Sequence, residues 1–259
     1  MAGLDFLWRR KPKEARSGDD YKPQIDLKHL PQHIAVIMDG NGRWAQSRGL
    51  PRTAGHRAGM SSLKELVNAC GELGIKVLTV YAFSTENWKR PTDEVGFLMN
   101  LLVEYMGKEL AELHQKGVVV RSVGEIAELP LPAQDALTKA EKVTSRNEGL
   151  KLNIALNYGG RREIINAVSQ IAQKITAGTI NPDDINEELF SRFLYTQGLP
   201  DPDLVIRPSG EQRLSNFLLW QSAYSEFWTS AVLWPDFREQ HLFEAIVEYQ
   251  KRNRRYGGL

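Results

Sequence analysis

Short β-rich runs alternate with stretches of helical periodicity along this chain, and such alternation specifies an α/β fold with a mostly parallel sheet. Ile34 to Met38, Val77 to Phe83, Val118 to Val123, Leu150 to Asn157 and Leu204 to Arg207 are apolar and rich in β-branched residues, as strands covered on both faces should be. Between the first two, Met60, Leu63, Leu66, Val67, Cys70 and Leu73 recur at helical spacing and stop near Gly74. A second helix is expected after Pro91, with Thr92 as N-cap, Asp93 and Glu94 in its first turn and Phe97, Leu98, Leu101, Leu102 and Tyr105 on its apolar face. Further helices are expected over about 133–147, 161–177, 186–195 and 238–252. No Ser/Gly-rich linker or repeat marks a boundary, so residues 33–259 read as a single domain with a central sheet flanked by helices.

Residues 1–32 read as an N-terminal extension, partly disordered. Leu4, Phe6, Leu7 and Trp8 precede Arg9, Arg10, Lys11 and Lys13, the reverse of the order in a secretory signal. That arrangement also suits a weak interfacial anchor, with aromatic side chains inserted and basic ones on headgroups. The longest apolar run, Ile34 to Met38, is far short of the ~20 residues needed to span a bilayer. With 33 basic against 32 acidic residues the net charge is +1, so the bulk field gives no reason to expect a nucleic-acid partner. The single cysteine, Cys70, excludes an intrachain disulfide framework and a CxxC zinc site and fits a reducing, cytoplasmic setting.

In open parallel sheets, ligands bind outside the carboxyl ends of the strands. After the first strand comes Asp39-Gly40-Asn41-Gly42-Arg43-Trp44-Ala45, which matches GxGxxG/A if Ala45 replaces the third glycine. The dinucleotide fingerprint also wants an acidic residue ~20 positions on, at the end of the next strand. Here position 60 onward is helical and that strand ends at Phe83-Ser84. Asp39 beside the glycines would repel a phosphate unless a divalent cation reversed the sign, and Mg²⁺ commonly joins one or two carboxylates to substrate phosphates. Gly40 and Gly42 permit close backbone approach, and Arg43 supplies a fork suited to phosphate oxygens. The plainer alternative is a tight turn with a solvated Asp and Arg.

Phosphate-type residues recur at the later strand ends. Arg52 and His56 flank the entry to the first helix. Ser84-Thr85-Glu86-Asn87-Trp88-Lys89-Arg90 opens directly after a buried strand, though turn and capping chemistry alone would also explain it. The last strand delivers Arg207, then Ser209-Gly210-Glu211-Gln212-Arg213-Leu214-Ser215-Asn216. Arg43, Arg52, Arg90, Arg207 and Arg213 together suit more than one phosphate group. Other machines fit less well. GxxxxGK[ST] and GxSxG are both missing from the chain. Asp183-Asp184-Ile185-Asn186-Glu187 follows Asn181-Pro182 and reads as helix capping, and His29 and His33 straddle Pro31.

HIAVIMDGNGRWA, FSTENWKRP, LNIALNYGGRREI, DLVIRPSGEQRLSNFLLWQ, and AYSEFW with VLWPDF occur in that order between about His33 and Gly258. This set closely resembles the cis-prenyltransferases of the bacterial undecaprenyl diphosphate synthase type. The resemblance implies a hydrophobic tunnel beside the sheet, a homodimer, and sequential condensation of an allylic diphosphate, usually farnesyl diphosphate, with isopentenyl diphosphate. The product would be a long-chain Z-polyprenyl diphosphate, such as the undecaprenyl carrier precursor used in cell-wall synthesis, delivered to the membrane by peripheral contact at its inner face.

By matched position, the resemblance makes Asp39 the Mg²⁺ carboxylate and places Gly40, Asn41, Gly42, Arg43, Arg52, His56 and Arg90 around the allylic diphosphate, with Trp44 among the substrate-binding residues. Arg207, Arg213 and Ser215 fall at the isopentenyl diphosphate site. Ser84, Thr85, Glu86, Asn87 and Trp88 form the loop implicated in catalysis and substrate placement, with Ser84 and Asn87 joining Asp39 as catalytic candidates. Glu226 matches a second metal carboxylate near the dimer interface, and Arg255-Tyr256-Gly257 a C-terminal element that reaches the neighbouring site. Pro208 and Glu125 depart from the Thr and Asp common in the family. Leu98, Leu102 and Leu150 are expected to line the tunnel, with Leu150 deepest because it lies opposite the Asn157-Tyr158 end of its strand. The proton acceptor stays open between a diphosphate oxygen and a loop side chain. Two rivals are a non-catalytic partner subunit of this fold, which would lack Asp39 and the FSTENW loop, and a dinucleotide-binding oxidoreductase.

Overall fold

The computed structural model describes residues 21–252. In chain order it contains β1 (His33–Ile37), α1 (Asn41–Gln46), α2 (Arg52–Leu73), β2 (Val77–Ser84), α3 (Thr92–Gln115), β3 (Val119–Val123), α4 (Leu131–Thr144), β4 (Lys151–Tyr158), α5 (Gly160–Thr176), α6 (Glu187–Ser191), β5 (Leu204–Arg207), β6 (Glu226–Thr229) and α7 (Glu239–Gln250), with a 3₁₀ turn at Thr85–Lys89 between β2 and α3. The six strands are all parallel, in the order β3-β4-β2-β1-β5-β6.

Strand alternation divides the core between the two faces of the sheet. Ile34, Val36, Leu78, Val80, Leu152 and Ile154 face one core with Leu63 of α2 and Met99 and Met106 of α3. Ala35, Ile37, Ala155, Tyr158 and Val205 face the other, with Phe217 and Leu218. The chain leaves β1 toward β2 on one side and returns to β5 on the other, so the crevice at the carboxyl ends of β1 and β5 is the topological switch point where such folds bind ligands.

Several expectations are adjusted. Thr92 is the first helical residue rather than the cap; Pro91 occupies the cap position and its carbonyl accepts from Val95 N–H. The helix at Met60 begins earlier, at Arg52, so Arg52 and His56 lie in its opening turns. The helix expected over 186–195 stops at Ser191. Residues 21–32 are not a detached extension: Ile25 is buried in the main core, and Gln250 of α7 donates to the carbonyls of Asp26 and His29. The hydrophobic and basic residues of 1–20 lie outside the described residues, as does Arg255-Tyr256-Gly257.

His33 shows how β1 is tied to its neighbours. Its Nδ1 donates to the Pro200 carbonyl at 2.7 Å, so Nε2, 2.7 Å from Thr79 Oγ1, accepts the hydroxyl proton; Asn153 Nδ2 donates to the same hydroxyl at 2.9 Å. Burial pulls this imidazole down to about 4. The unfolded chain therefore takes up a proton near pH 6.5 that the folded protein resists until about pH 4. Stability is expected to fall as pH drops across that window, by on the order of 3 kcal/mol from this group. Thermal melts from pH 7 to pH 4 check it, and His33→Gln should flatten the slope.

Candidate active site

Asp39 leaves the end of β1 and meets Arg207 at the end of β5, with Arg207 Nη2 donating to Asp39 Oδ2 at 2.8 Å. Arg207 is buried, and its Nη1 also donates to Ser215 Oγ at 2.8 Å and to the Arg213 carbonyl. Arg43 approaches from α1, with Nη2 3.4 Å from Asp39 Oδ1, and Nη1 3.0 Å from the Ser209 carbonyl and 3.3 Å from Glu211 Oε1. Burial opposes the Asp39 charge, but the Arg207 hydrogen bond and charge, with that of Arg43, outweigh it and hold the carboxyl below its usual range.

The turn between Asp39 and α1 depends on Gly40, whose φ of 107° disfavours any residue with a Cβ, and a Cβ there would also press on Leu233. Gly55 lets α2 lie directly on α1, since a Cβ would collide with the Asn41 carbonyl. The opening turn of α1 thus lines the crevice, and its first amides lack intrahelical acceptors, which suits an anion.

A second cationic group gathers about Glu94, a carboxylate in the first turn of α3 that is buried in the fold. Arg90 Nη1 lies 2.9 Å, Arg52 Nε 3.6 Å and His56 Nε2 3.6 Å from Glu94 Oε1. Burial, with the charges of Arg90 and Arg52, pulls His56 down to about 4 against the pull of Glu94, so it is neutral at pH 7.

Both groups open onto one cavity of about 1140 Å³. Its mouth is polar, formed by Asp39, Gly40, Asn41, Gly42, Arg43, Arg52, His56, Ser84, Glu86, Asn87, Arg90, Arg207, Arg213 and Ser215. Its interior runs between α2, α3 and the sheet, walled by Met60, Leu63, Leu98, Met99, Leu101, Leu102, Tyr105, Met106, Ile154 and Leu156. The combination suits a molecule with an anionic head and a long apolar body.

Other expected residues fall elsewhere. Trp44 turns away and donates from Nε1 to Asp236 Oδ1 at 2.8 Å, with Arg48 stacked 4.1 Å over its ring. Thr85 and Trp88 do not line the cavity: Thr85 lies against Gly159, and the Trp88 indole donates to Asn157. Within that loop Ser84 N–H donates to Asn87 Oδ1 at 3.0 Å, so these residues cap the turn as well as facing the cavity. Leu150, just before β4, continues the face that carries Leu152, Ile154 and Leu156, but only Ile154 and Leu156 reach the cavity. It lies roughly 13 Å beyond Ile154 along the strand direction, with Leu152 between, so Leu150 is core beneath the cavity rather than its wall.

Glu226 lies away from this cavity. It opens β6 opposite Leu204, while Asp39 follows the far end of β1, and its Oε2 accepts from Arg252 Nη1 at 2.7 Å. The two carboxylates therefore sit at opposite ends of the parallel sheet and share no metal within one chain. Among the described residues no cluster of three His, Cys, Asp or Glu side chains is arranged to hold a metal.

Residues 37–257 match the family model described as putative undecaprenyl diphosphate synthase. The chain belongs to this family. An isoprenyl transferase of Clostridium perfringens is 57% identical over 258 residues, covering 99% of both chains, and one of Bacillus subtilis is 51% identical over 253 residues, covering 97% of both. Among solved structures, lavandulyl diphosphate synthase from Lavandula x intermedia, in complex with dimethylallyl diphosphate, is 39% identical with a TM-score of 0.86, covering 88% of this chain and 99% of that one. A probable undecaprenyl diphosphate synthase from Campylobacter jejuni is 33% identical with a TM-score of 0.73, covering 89% and 99%. The protein is thus a prenyltransferase of the cis type, a family that binds allylic and isopentenyl diphosphates. The dinucleotide alternative falls with this membership. No helix among the described residues is long and apolar enough to cross a membrane.

Proposed function

We propose that this prenyltransferase condenses an allylic diphosphate, farnesyl diphosphate by resemblance, with successive isopentenyl diphosphates into a long Z-polyprenyl diphosphate of the undecaprenyl type, a carrier precursor for cell-wall synthesis. The observation that carries the reading is a cavity of about 1140 Å³ with two cationic groups at its mouth and an apolar interior. The Glu94 group, Arg52, His56 and Arg90, suits the allylic diphosphate, whose prenyl tail enters the α2–α3 channel. The Asp39 group, with Arg207, Arg213 and Ser215, suits the isopentenyl diphosphate, and Arg43 stands between them. The retained Asp39 and FSTENW loop favour an enzyme over a non-catalytic partner subunit.

Ionisation of the allylic C–O bond develops negative charge on the departing diphosphate, and guanidinium groups already in place stabilise it without reorganisation. His56 is neutral in the absence of substrate, and the negative charge of a bound diphosphate would shift it toward the imidazolium. Holding the isopentenyl double bond close to allylic C1 supplies the proximity contribution.

A divalent cation fits this site through hard oxygen donors. Asp39 offers one carboxylate on the cavity wall, and the substrate phosphates would complete the sphere, the usual manner for Mg²⁺. When bound, that ion neutralises diphosphate charge. Glu226 would reach such an ion only across the interface of the homodimer that the resemblance implies; membrane contact is assigned on the same ground of resemblance. Incorporation of radiolabelled isopentenyl diphosphate into butanol-extractable product by the purified chain tests the reading, and its absence with every allylic primer would refute it.

Product length should follow the cavity wall. Each added isoprene unit gains roughly 0.8 kcal/mol per buried CH₂, so elongation continues until the chain meets a steric stop. Leu102→Trp and Leu98→Trp, on the wall, are expected to shorten the products by several isoprene units. Chromatography of the dephosphorylated products checks this.

A further inference from the structure

Two asparagines stand at the edges of the 85–89 turn, and both adopt left-handed backbone, Asn157 with φ 45° and Asn216 with φ 67°. Asparagine tolerates that region, yet glycine would occupy it at less cost, so the side chains are where a reason for asparagine is to be sought. Both side chains are fully engaged. Asn157, buried at the end of β4, accepts from the indole Nε1 of Trp88 at 2.8 Å, while its own Nδ2 donates to Glu128 Oε2 at 2.9 Å and to the Glu125 carbonyl at 3.1 Å. Asn216 donates from Nδ2 to Glu86 Oε1 at 2.8 Å and accepts from Arg161 N–H at 2.9 Å, and its carbonyl accepts from Gly160 N–H at 2.7 Å.

The two therefore hold the same short turn at two points, one through Trp88 and the other through Glu86. Between them the turn lies directly on the backbone of Gly159, where a Cβ would stand 2.7 Å from Thr85 Oγ1 and 2.9 Å from Asn216 Nδ2. Asn216 is also the neighbour of Ser215, whose hydroxyl is bonded to Arg207.

We propose that Asn157 and Asn216 are positioning residues that latch the 85–89 turn at the cavity mouth, holding Asn87 in place and linking the turn to the Arg207–Ser215 end of the site. The role in turnover rests on the prenyl-transfer reading above; the latch itself does not.

Hydrogen exchange of the full chain without substrate tests it. Asn157→Gly and Asn216→Gly keep the left-handed backbone and remove only the side chain. Each should speed amide exchange in a peptide spanning 84–90 by at least fivefold while peptides from β1, β3 and α7 stay unchanged, and Trp88→Phe, which removes the indole donor, should reproduce the Asn157→Gly result. In turnover, Asn157→Gly should lower kcat at least tenfold with the KM for isopentenyl diphosphate within twofold. Unchanged exchange at 84–90 would overturn the latch, as would a rise spread evenly over the whole sheet, which would mark a merely structural role. Because exchange is read without substrate, a wild-type protein that fails to incorporate isopentenyl units would sink the functional reading and leave the latch to be decided separately.

Discussion

Asp39→Ala should lower turnover by at least three orders of magnitude while the protein still folds. This carboxylate lies on the cavity wall between the guanidinium groups of Arg207 and Arg43, where a diphosphate would otherwise meet its negative charge without a cation to screen it. A thousandfold loss corresponds to about 4 kcal/mol of barrier, within the range expected when charge stabilisation at a reacting phosphate is lost. Folding survives because Arg207 retains Ser215 and the Arg213 carbonyl as partners. Asp39→Asn sharpens the test, since the amide keeps the volume and an acceptor for Arg207 and removes only the charge. It should be as inactive as the alanine variant, and excess EDTA should silence the wild type reversibly. Near-normal turnover of Asp39→Asn, or full activity in EDTA, would remove the metal assignment.

The alternation of β-rich runs and helical periodicity was enough to read five strands and the α/β class, because strands covered on both faces announce themselves as continuous apolar runs. β6 escaped: Glu226-Phe227-Trp228-Thr229 is a four-residue edge strand that begins with a charge, and its pairing with β5 is a tertiary fact. For the same reason Glu226 could not be placed, since position along a parallel sheet follows from register, which short motifs do not encode. The arginines were legible as a set because each follows a strand or opens a helix. Glu94 was not, because an acid in a helix's first turn has an ordinary explanation in the helix dipole, and only the fold brings Arg52 and His56 onto it. Asn157 and Asn216 sit inside recognisable motifs, yet a positive φ leaves no mark on the sequence when the residue is asparagine. Leu150 shows the limit of strand periodicity, which assigns a face correctly but not how deep along that face a cavity reaches.

Arg207→Ala should raise the KM for isopentenyl diphosphate at least a hundredfold, the largest effect expected of any arginine at the mouth. Charge-assisted hydrogen bonds contribute roughly 1.5 to 3 kcal/mol each, so a guanidinium facing one diphosphate accounts for about ten- to hundredfold alone. Arg207 adds to this because it is buried and organises Ser215, the Arg213 backbone and Asp39 together. Arg213, largely exposed and paired with Glu211, should cost less when replaced, near tenfold in the same KM. Arg90→Ala removes the shortest cation contact to Glu94 and should raise instead the KM for the allylic substrate by ten- to hundredfold, leaving that for isopentenyl diphosphate within about threefold. Arg43 reaches Asp39 and Glu211 from α1 and lies between the two groups, so Arg43→Ala should weaken both substrates. Steady-state titration of each substrate at saturating levels of the other separates these outcomes. Equal losses for both substrates in Arg207→Ala and Arg90→Ala alike would mean that the two cationic groups form one undivided site, and the assignment of one diphosphate to each would fall.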